Sequence, residues 1–259
     1  MLPSFDLRFS SNGNDACGLL DEDWYVIAGG TEMVPALRIG ALTPIGLVDI
    51  NSNTEMRNVA KANSHLEIGA LVTHSEVTNS DLVVEHAPVM SKICMHIGNA
   101  RVRSTGTVGG NLCFAEPRSD LSTVLHALGA SIVLISPDSE RVISIPEFLV
   151  GAFQTSIENR EVLQKVKIPL PAEDVNYWKF TFGERPTVGL AWILRENEIH
   201  VVIGAATEVP TSHTFVKGEK VDLESWAEEL EIESDLAGSA EYKRRLIVQK
   251  LREIGVGSK

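Results

Sequence analysis

Two glycine-centred stretches are the residues best suited to chemistry. Val26-Ile27-Ala28-Gly29-Gly30-Thr31-Glu32 runs an apolar segment into adjacent glycines, then a hydroxyl and a carboxylate, and Thr107-Val108-Gly109-Gly110-Asn111 repeats the pattern later in the chain. Adjacent glycines allow positive φ and let another group approach the main chain without meeting a Cβ. Successive N–H groups in such a bend converge into an anion-binding concavity. The pair is expected to close over one diphosphate. Taken singly, each diglycine reads as no more than a tight turn; it is their combination that points to a ligand.

Other chemistries lack a starting point. There is no G-x-G-x-x-G of a Rossmann dinucleotide site, no G-x-x-x-x-G-K-[ST] phosphate loop and no G-x-S-x-G nucleophile elbow. The three cysteines, Cys17, Cys94 and Cys113, form no C-x-x-C pair, and the seven histidines show no H-E-x-x-H spacing. A metal centre is therefore not expected, and the cysteine usage points to a reducing, cytoplasmic setting. Cys113 is read as buried filler rather than a redox thiol.

The elements that position the bends follow from periodicity. Trp24 to Ala28 reads as a strand entering the first bend, Met33 to Arg38 as a helix leaving it, and Leu47 to Ile50 as the next strand. Strand, turn, helix, strand is the signature of a small parallel α/β unit. Phe5 to Phe9 alternates as an edge strand, and Asp15 to Asp23 suits a short helix. A second unit begins near Val59, with a strand at His65 to Ala70 and a capping box at Thr73 and Glu76. Val89, Met90, Ile93, Cys94 and Ile97 fall on one helical face. Arg103 to Asn111 is too rich in Gly, Ser and Thr for a helix interior and reads as a turn. Asp120 is expected to cap a helix carrying Leu121, Val124, Leu125 and Leu128. Strands at Ser131 to Ser136 and Val162 to Ile168 follow.

Pro169-Leu170-Pro171 with Glu173 and Asp174 is the best boundary. Beyond it, Asn176 to Phe182, Val188 to Arg195 and Ile199 to Thr207 read as strands, the last two joined as a hairpin. Helices follow at Leu223 to Ile232 and Ser239 to Ile254, the latter with Tyr242, Leu246, Ile247, Leu251 and Ile254 inward. The expected division is 1–171, with subdomains of about 1–58 and 59–171, and 172–259.

Composition fits this scheme. With 259 residues, 44% apolar, 22% charged and a net charge of -12, the chain is an ordinary globular protein with little attraction for nucleic acid or anionic membranes. No apolar run is long enough for a membrane span, and no secretory signal is expected from Met1 to Asp6.

The ordered motifs resemble the FAD-binding subunit or domain of molybdenum hydroxylases, the xanthine dehydrogenase and aerobic carbon monoxide dehydrogenase flavoprotein type. Ala28 to Glu32 is similar to its A-G-G-T/H-[DES] element and Thr107 to Asn111 to its T-I/V-G-G-N element. The likeness continues through Ala115-Glu116-Pro117-Arg118-Ser119-Asp120-Leu121, Val166 to Pro169, Trp178-Lys179-Phe180 and Gly238-Ser239-Ala240-Glu241-Tyr242-Lys243. It implies an α+β fold: a two-subdomain, PCMH-type FAD-binding domain, then a small C-terminal domain of antiparallel sheet plus helices. It implies FAD as cofactor, an oxidoreductase, and electron transfer from iron–sulfur clusters to FAD and on to NAD or another acceptor. Partners would be a molybdopterin-binding large subunit and a 2Fe-2S small subunit.

By the same resemblance, backbone N–H groups of Ala28 to Glu32 and of Thr107, Val108, Gly109, Gly110 and Asn111 would hold the diphosphate, with the Thr31 and Thr107 hydroxyls as added donors, and Val26 and Ile27 before them would also belong to the cofactor site. Asp120 would accept from the adenosine ribose, Ile97 and Leu163 would pack on the flavin nucleotide, and Lys179 would lie near the isoalloxazine. No residue is assigned a catalytic acid or base role. Two departures stand out: Gly189-Leu190 occupies the place of an acidic and often aromatic pair beyond Arg185, and Thr211-Ser212-His213 that of an arginine. A self-contained FAD-dependent oxidoreductase and a flavin-free scaffold are the alternatives.

Overall fold

Strand pairing divides the described residues into three sheets and a small hairpin. The computed structural model describes residues 2–183 and 185–257. First comes a three-stranded parallel sheet, ordered β1 (Asp6–Phe9), β3 (Gly46–Asp49), β2 (Trp24–Ile27). Helix α1 (Gly13–Leu19) links β1 to β2, and α2 (Met33–Ile39) crosses from β2 to β3, so the expected parallel unit is present. Helix α2 ends at Gly40, whose φ of 73° is a left-handed cap open to glycine at little cost.

The second sheet is antiparallel and ordered β4 (Val59–Ala62), β5 (His65–Gly69), β10 (Val162–Pro169), β6 (Ser131–Ile135), β7 (Glu140–Ser144). Its middle strand is the last in sequence. Between β5 and β6 run six short helices: α3 (His74–Asn79), α4 (Asp81–His86), α5 (Pro88–Cys94), α6 (Ala100–Thr105), α7 (Val108–Phe114) and α8 (Asp120–Ala127). The capping box at Thr73 and Glu76 opens α3, with both reciprocal bonds formed. After β7, α9 (Ile145–Phe148) leads into the hairpin β8 (Leu149–Gly151) and β9 (Gln154–Thr155).

The third sheet is antiparallel in sequence order: β11 (Val175–Thr181), β12 (Pro186–Leu194), β13 (Glu198–Gly204), β14 (Thr211–Val216). One face packs on α10 (Leu223–Glu228) and α11 (Ala240–Glu253) around Val188, Leu190, Val201 and Ile203. The other face gives Val175, Ala191, Ile193 and Val202 to the larger core, which fills the space between the second sheet and its helices.

The structure corrects the sequence reading at several points. The stretch expected to be a turn from Arg103 to Asn111 contains the second half of α6 and the start of α7. Asn99 accepts from Val102 N at 3.0 Å and Thr107 from Gly110 N at 3.0 Å, so each helix starts on its own side-chain cap despite the Gly and Thr content. Helix α5 stops at Cys94, which leaves Ile97 outside it. Ser119, not Asp120, caps α8. On α11, Tyr242 is exposed while Lys243 is buried, its ammonium held by Asp235 at 2.9 Å and the Glu233 carbonyl at 3.0 Å. Cys113, expected inside, is exposed.

Candidate functional site

The two glycine bends meet. A Cβ built on Gly29 would lie 1.8 Å from the Thr105 carbonyl oxygen and 3.2 Å from Gly106 Cα. One on Gly106 would lie 3.3 Å from Thr31 Oγ1. Glycine is required at 29 because the main chains touch there, and at 30 because φ is 66°.

The bends differ in what they offer a ligand. In the first, the N–H groups of Gly29, Gly30, Thr31, Glu32 and Met33 donate to no acceptor among the described residues. The flanking carbonyls are engaged: Ala28 accepts from Asn51 Nδ2 at 3.1 Å and Gly30 from Val34 N at 3.0 Å. Val26 and Ile27 belong to β2 behind the bend. A run of open donors on a half-buried segment suits a diphosphate, which presents several acceptor oxygens and no donor.

The second bend is the first turn of α7, and its amides are spent. Val108 N donates to Val72 O and Gly109 N to Ala70 O, both at 2.9 Å, Gly110 N to the Thr107 hydroxyl, and Asn111 N to Thr107 O at 2.9 Å. The expected cradle of main-chain N–H groups from Val108 to Asn111 is thus not free, because the helix is pinned to the segment after β5. Gly109 is a packing glycine: a Cβ there would sit 2.6 Å from Ala70 Cβ. What remains is the Thr107 hydroxyl proton, since that oxygen only accepts from Gly110, and Asn111 Nδ2, whose partner oxygen accepts from Ser119 Oγ at 2.7 Å.

Asp120 and Lys179 come together, though not as separate contacts. Lys179 Nζ donates to Asp120 Oδ2 at 2.5 Å, and the Tyr177 hydroxyl donates to Oδ1. Asp120 is 6% exposed. Burial, then the adjacent carboxylate, pushes the Tyr177 phenol well above its ordinary value, so it stays a donor. Tyr177 and Lys179 share one face of β11 by strand alternation, a period-two signal that the sequence carried. The first departure noted above has a packing reason. Gly189 pairs with Lys179, and a Cβ on it would lie 2.7 Å from the Tyr177 hydroxyl oxygen. Gly204, opposite Gly189, likewise makes room for Thr123 of α8.

Ile97 is half-buried against the larger core, its carbonyl accepting from Arg103 at 3.2 Å. Leu163 is buried in that core at an irregularity of β10. It is one residue from Gln164, whose carbonyl accepts from Ala70 N at 2.9 Å, behind Gly109.

Two neighbours of the bends had no role in the sequence reading: His74, which was not singled out, and Arg185, which the resemblance matched without assigning it to the site. His74 packs behind Gly106, its N–H donating to Gly106 O at 3.0 Å and its Nδ1 3.9 Å from Cys94 Sγ; burial pushes it down to about 4. Arg185, on the β11–β12 turn, reaches Glu32 at 2.6 Å and Glu116 at 3.5 Å, and Arg118 binds Glu116 at 3.0 Å. Among the described residues no group of three or more His, Cys, Asp or Glu is placed to hold a metal ion, and no helix is long and apolar enough to cross a membrane.

This fold, taken with comparisons to known proteins, defines a FAD-binding protein of the oxidoreductase class. Residues 4–171 match the family described as the FAD binding domain in molybdopterin dehydrogenase. The nicotine 6-hydroxylase medium subunit of Paenarthrobacter nicotinovorans is 27% identical, over 97% of this chain and 96% of that one. The caffeine dehydrogenase subunit beta of Pseudomonas sp. (strain CBB1) is 34% identical over 68% of this chain and 61% of that one. Quinoline 2-oxidoreductase from Pseudomonas putida 86 superposes with a TM-score of 0.88 at 26% identity, covering 98% of each chain. The chain belongs to the family of FAD-binding domains of molybdopterin dehydrogenases, and its cofactor is FAD.

Proposed function

We propose that this chain is the FAD-carrying electron-transfer subunit of a multi-subunit molybdenum hydroxylase, receiving electrons from iron–sulfur clusters and passing them to NAD or another acceptor. The observation that carries the reading is the run of open N–H donors from Gly29 to Met33, set against the Thr107 turn. The relative that aligns over nearly its whole length is named a medium subunit, which supports a place in a complex. The partners would be a large molybdopterin-binding subunit and a small 2Fe-2S subunit.

When bound, the flavin supplies the redox chemistry, accepting electrons in pairs or singly. The chain's own residues bind and orient. Main-chain N–H groups of the first bend and the Thr31 and Thr107 hydroxyls take the diphosphate, and the Asn111 amide adds a donor. Lys179 has donors left after Asp120, and Asp120 keeps lone pairs, so the pair would have the capacity to bond the ribose and flavin. Ile97 and Leu163 supply apolar support. Residues 1–171 would form the FAD-binding region, with parts at about 1–58 and 59–171, and 172–259 the C-terminal domain that carries Lys179.

The test is purification of this chain from native extract. FAD, iron and molybdenum are expected to co-elute with it in fixed ratio. A chain that elutes alone and colourless refutes the proposal; one that elutes alone but yellow, and turns over an organic substrate, refutes the subunit role.

A further inference from the structure

We infer that Arg185 is a positioning residue for the diphosphate: it neutralises two carboxylates that would otherwise repel that anion from the first bend. The inference rests on the flavin reading above and gives a role to Arg185, a position that the resemblance matches but does not place among the cofactor-binding residues. Glu32 contributes its N–H to the run of open donors, yet its side chain carries a negative charge at the same place. Glu116, on the α7–α8 turn, adds a second, largely buried carboxylate. Two such groups beside a dianion would repel it and offset the attraction of the amides.

Arg185 resolves the conflict geometrically. Its Nη2 lies 2.6 Å from Glu32 Oε1 and its Nη1 3.5 Å from Glu116 Oε2, so one guanidinium spans carboxylates from two segments. Arg118 Nε takes the other Glu116 oxygen at 3.0 Å. Two carboxylates and two guanidiniums form a chain of zero formal charge along one side of the bend. Arginine suits this place because its planar fork serves two acceptors at once and keeps its charge at any physiological pH. As an ion pair, a half-exposed contact of this kind adds little to stability. Its effect falls on the ligand's affinity.

Three segments meet in the chain of charges: the first bend, the α7–α8 turn and the β11–β12 turn. The C-terminal sheet therefore takes part in the anion site through charge, without offering a main-chain cradle of its own.

The test is a charge cycle on the full-length apo chain, titrated with FAD by flavin fluorescence and in parallel with ADP, which carries the diphosphate without the flavin ring. At low ionic strength Arg185→Gln is expected to weaken both ligands about tenfold (~1.4 kcal/mol). In a Glu32→Gln background the same substitution should cost less than about threefold, and high salt should shrink the wild-type difference as well. A merely structural role would not show this rescue. Equal affinity of Arg185→Gln and wild type overturns the inference, as does a loss that Glu32→Gln leaves unchanged, or a loss confined to FAD with ADP unaffected. Arg185→Lys, which keeps the charge but loses the fork that spans both carboxylates, should lose less than Arg185→Gln; if Arg185→Gln fails to fold, this variant decides, and a loss of about tenfold or more in it overturns the charge account. Wild-type protein that binds neither ligand removes the flavin reading itself, and this inference with it.

Discussion

Gly29→Ala tests the contact between the bends most sharply. The new Cβ would stand 1.8 Å from the Thr105 carbonyl oxygen and 2.6 Å from its carbon, where ordinary contact begins at 3.4 Å. The neighbours are backbone atoms, so no side chain can swing aside. A separation of roughly 1.6 Å, the difference between those two distances, must come from moving one bend. The second is tied down by Gly106 N to Val102 O at 2.7 Å and His74 N to Gly106 O at 3.0 Å. Overpacking of this kind costs about 1–3 kcal/mol, and losing one or two such hydrogen bonds adds about 1 kcal/mol each. A loss of ~3 kcal/mol or more in unfolding free energy is therefore expected, with weakened FAD retention. Urea unfolding followed by tryptophan fluorescence, beside a flavin titration, measures both. Gly18→Ala is the control in the same sheet's helix: a Cβ there meets nothing within 4 Å, so it should gain about 0.5–1 kcal/mol. If Gly29→Ala is as stable as Gly18→Ala and keeps FAD, the contact is not as described.

Asp120→Ala would leave the Lys179 ammonium and Tyr177 hydroxyl without their shared acceptor in a mostly buried place, at a cost of about 3 kcal/mol. Chemical denaturation checks this, and a double cycle with Tyr177→Phe should show strong coupling; independent losses would contradict the shared-acceptor geometry. His74 gives a pH dependence. Its folded-state value of about 4 lies below the ordinary imidazole value of 6.5, so the unfolded chain binds the proton more readily. The His74 contribution is complete above pH 6.5 and is lost as pH falls toward 4, by at most roughly 3 kcal/mol. Comparing unfolding free energies of wild type and His74→Gln across that window should show a shallower slope in the variant; parallel slopes would place the titration elsewhere.

The first bend and its parallel unit were legible because a β-rich run, two glycines and a helical pattern occur in the order that a βαβ unit demands. The antiparallel C-terminal sheet was legible for a similar reason, through alternation and the Glu196-Asn197-Glu198 hairpin. The equivalence of the two diglycines was misleading. Both read as apolar residues then glycines, but Val108 and Gly109 spend their N–H groups on Val72 and Ala70, residues far away in sequence whose register no local pattern reveals. Helices α6 and α7 were hidden because their composition opposes helix while Asn99 and Thr107 cap them one after the other. Strand β7 was missed because its polar positions are explained only by distant partners, Arg141 binding Glu161 at 2.7 Å. The burial of Lys243 was hidden for the same reason: a cation turns inward only where an acceptor such as Asp235 waits, and that pairing is not written at the helical period.

Strand β10 lies in the middle of the second sheet although it follows β4 to β7 in sequence. During synthesis, β5 and β6 each lack their native partner on one edge until residue 169 has left the ribosome, since in the folded sheet both pair with β10 and not with one another. Such edges are what neighbouring nascent chains join onto. The interval between making β6 and delivering β10 is thus the period when this polypeptide is most prone to aggregate, and any slowing of translation between residues 135 and 169 would lengthen it.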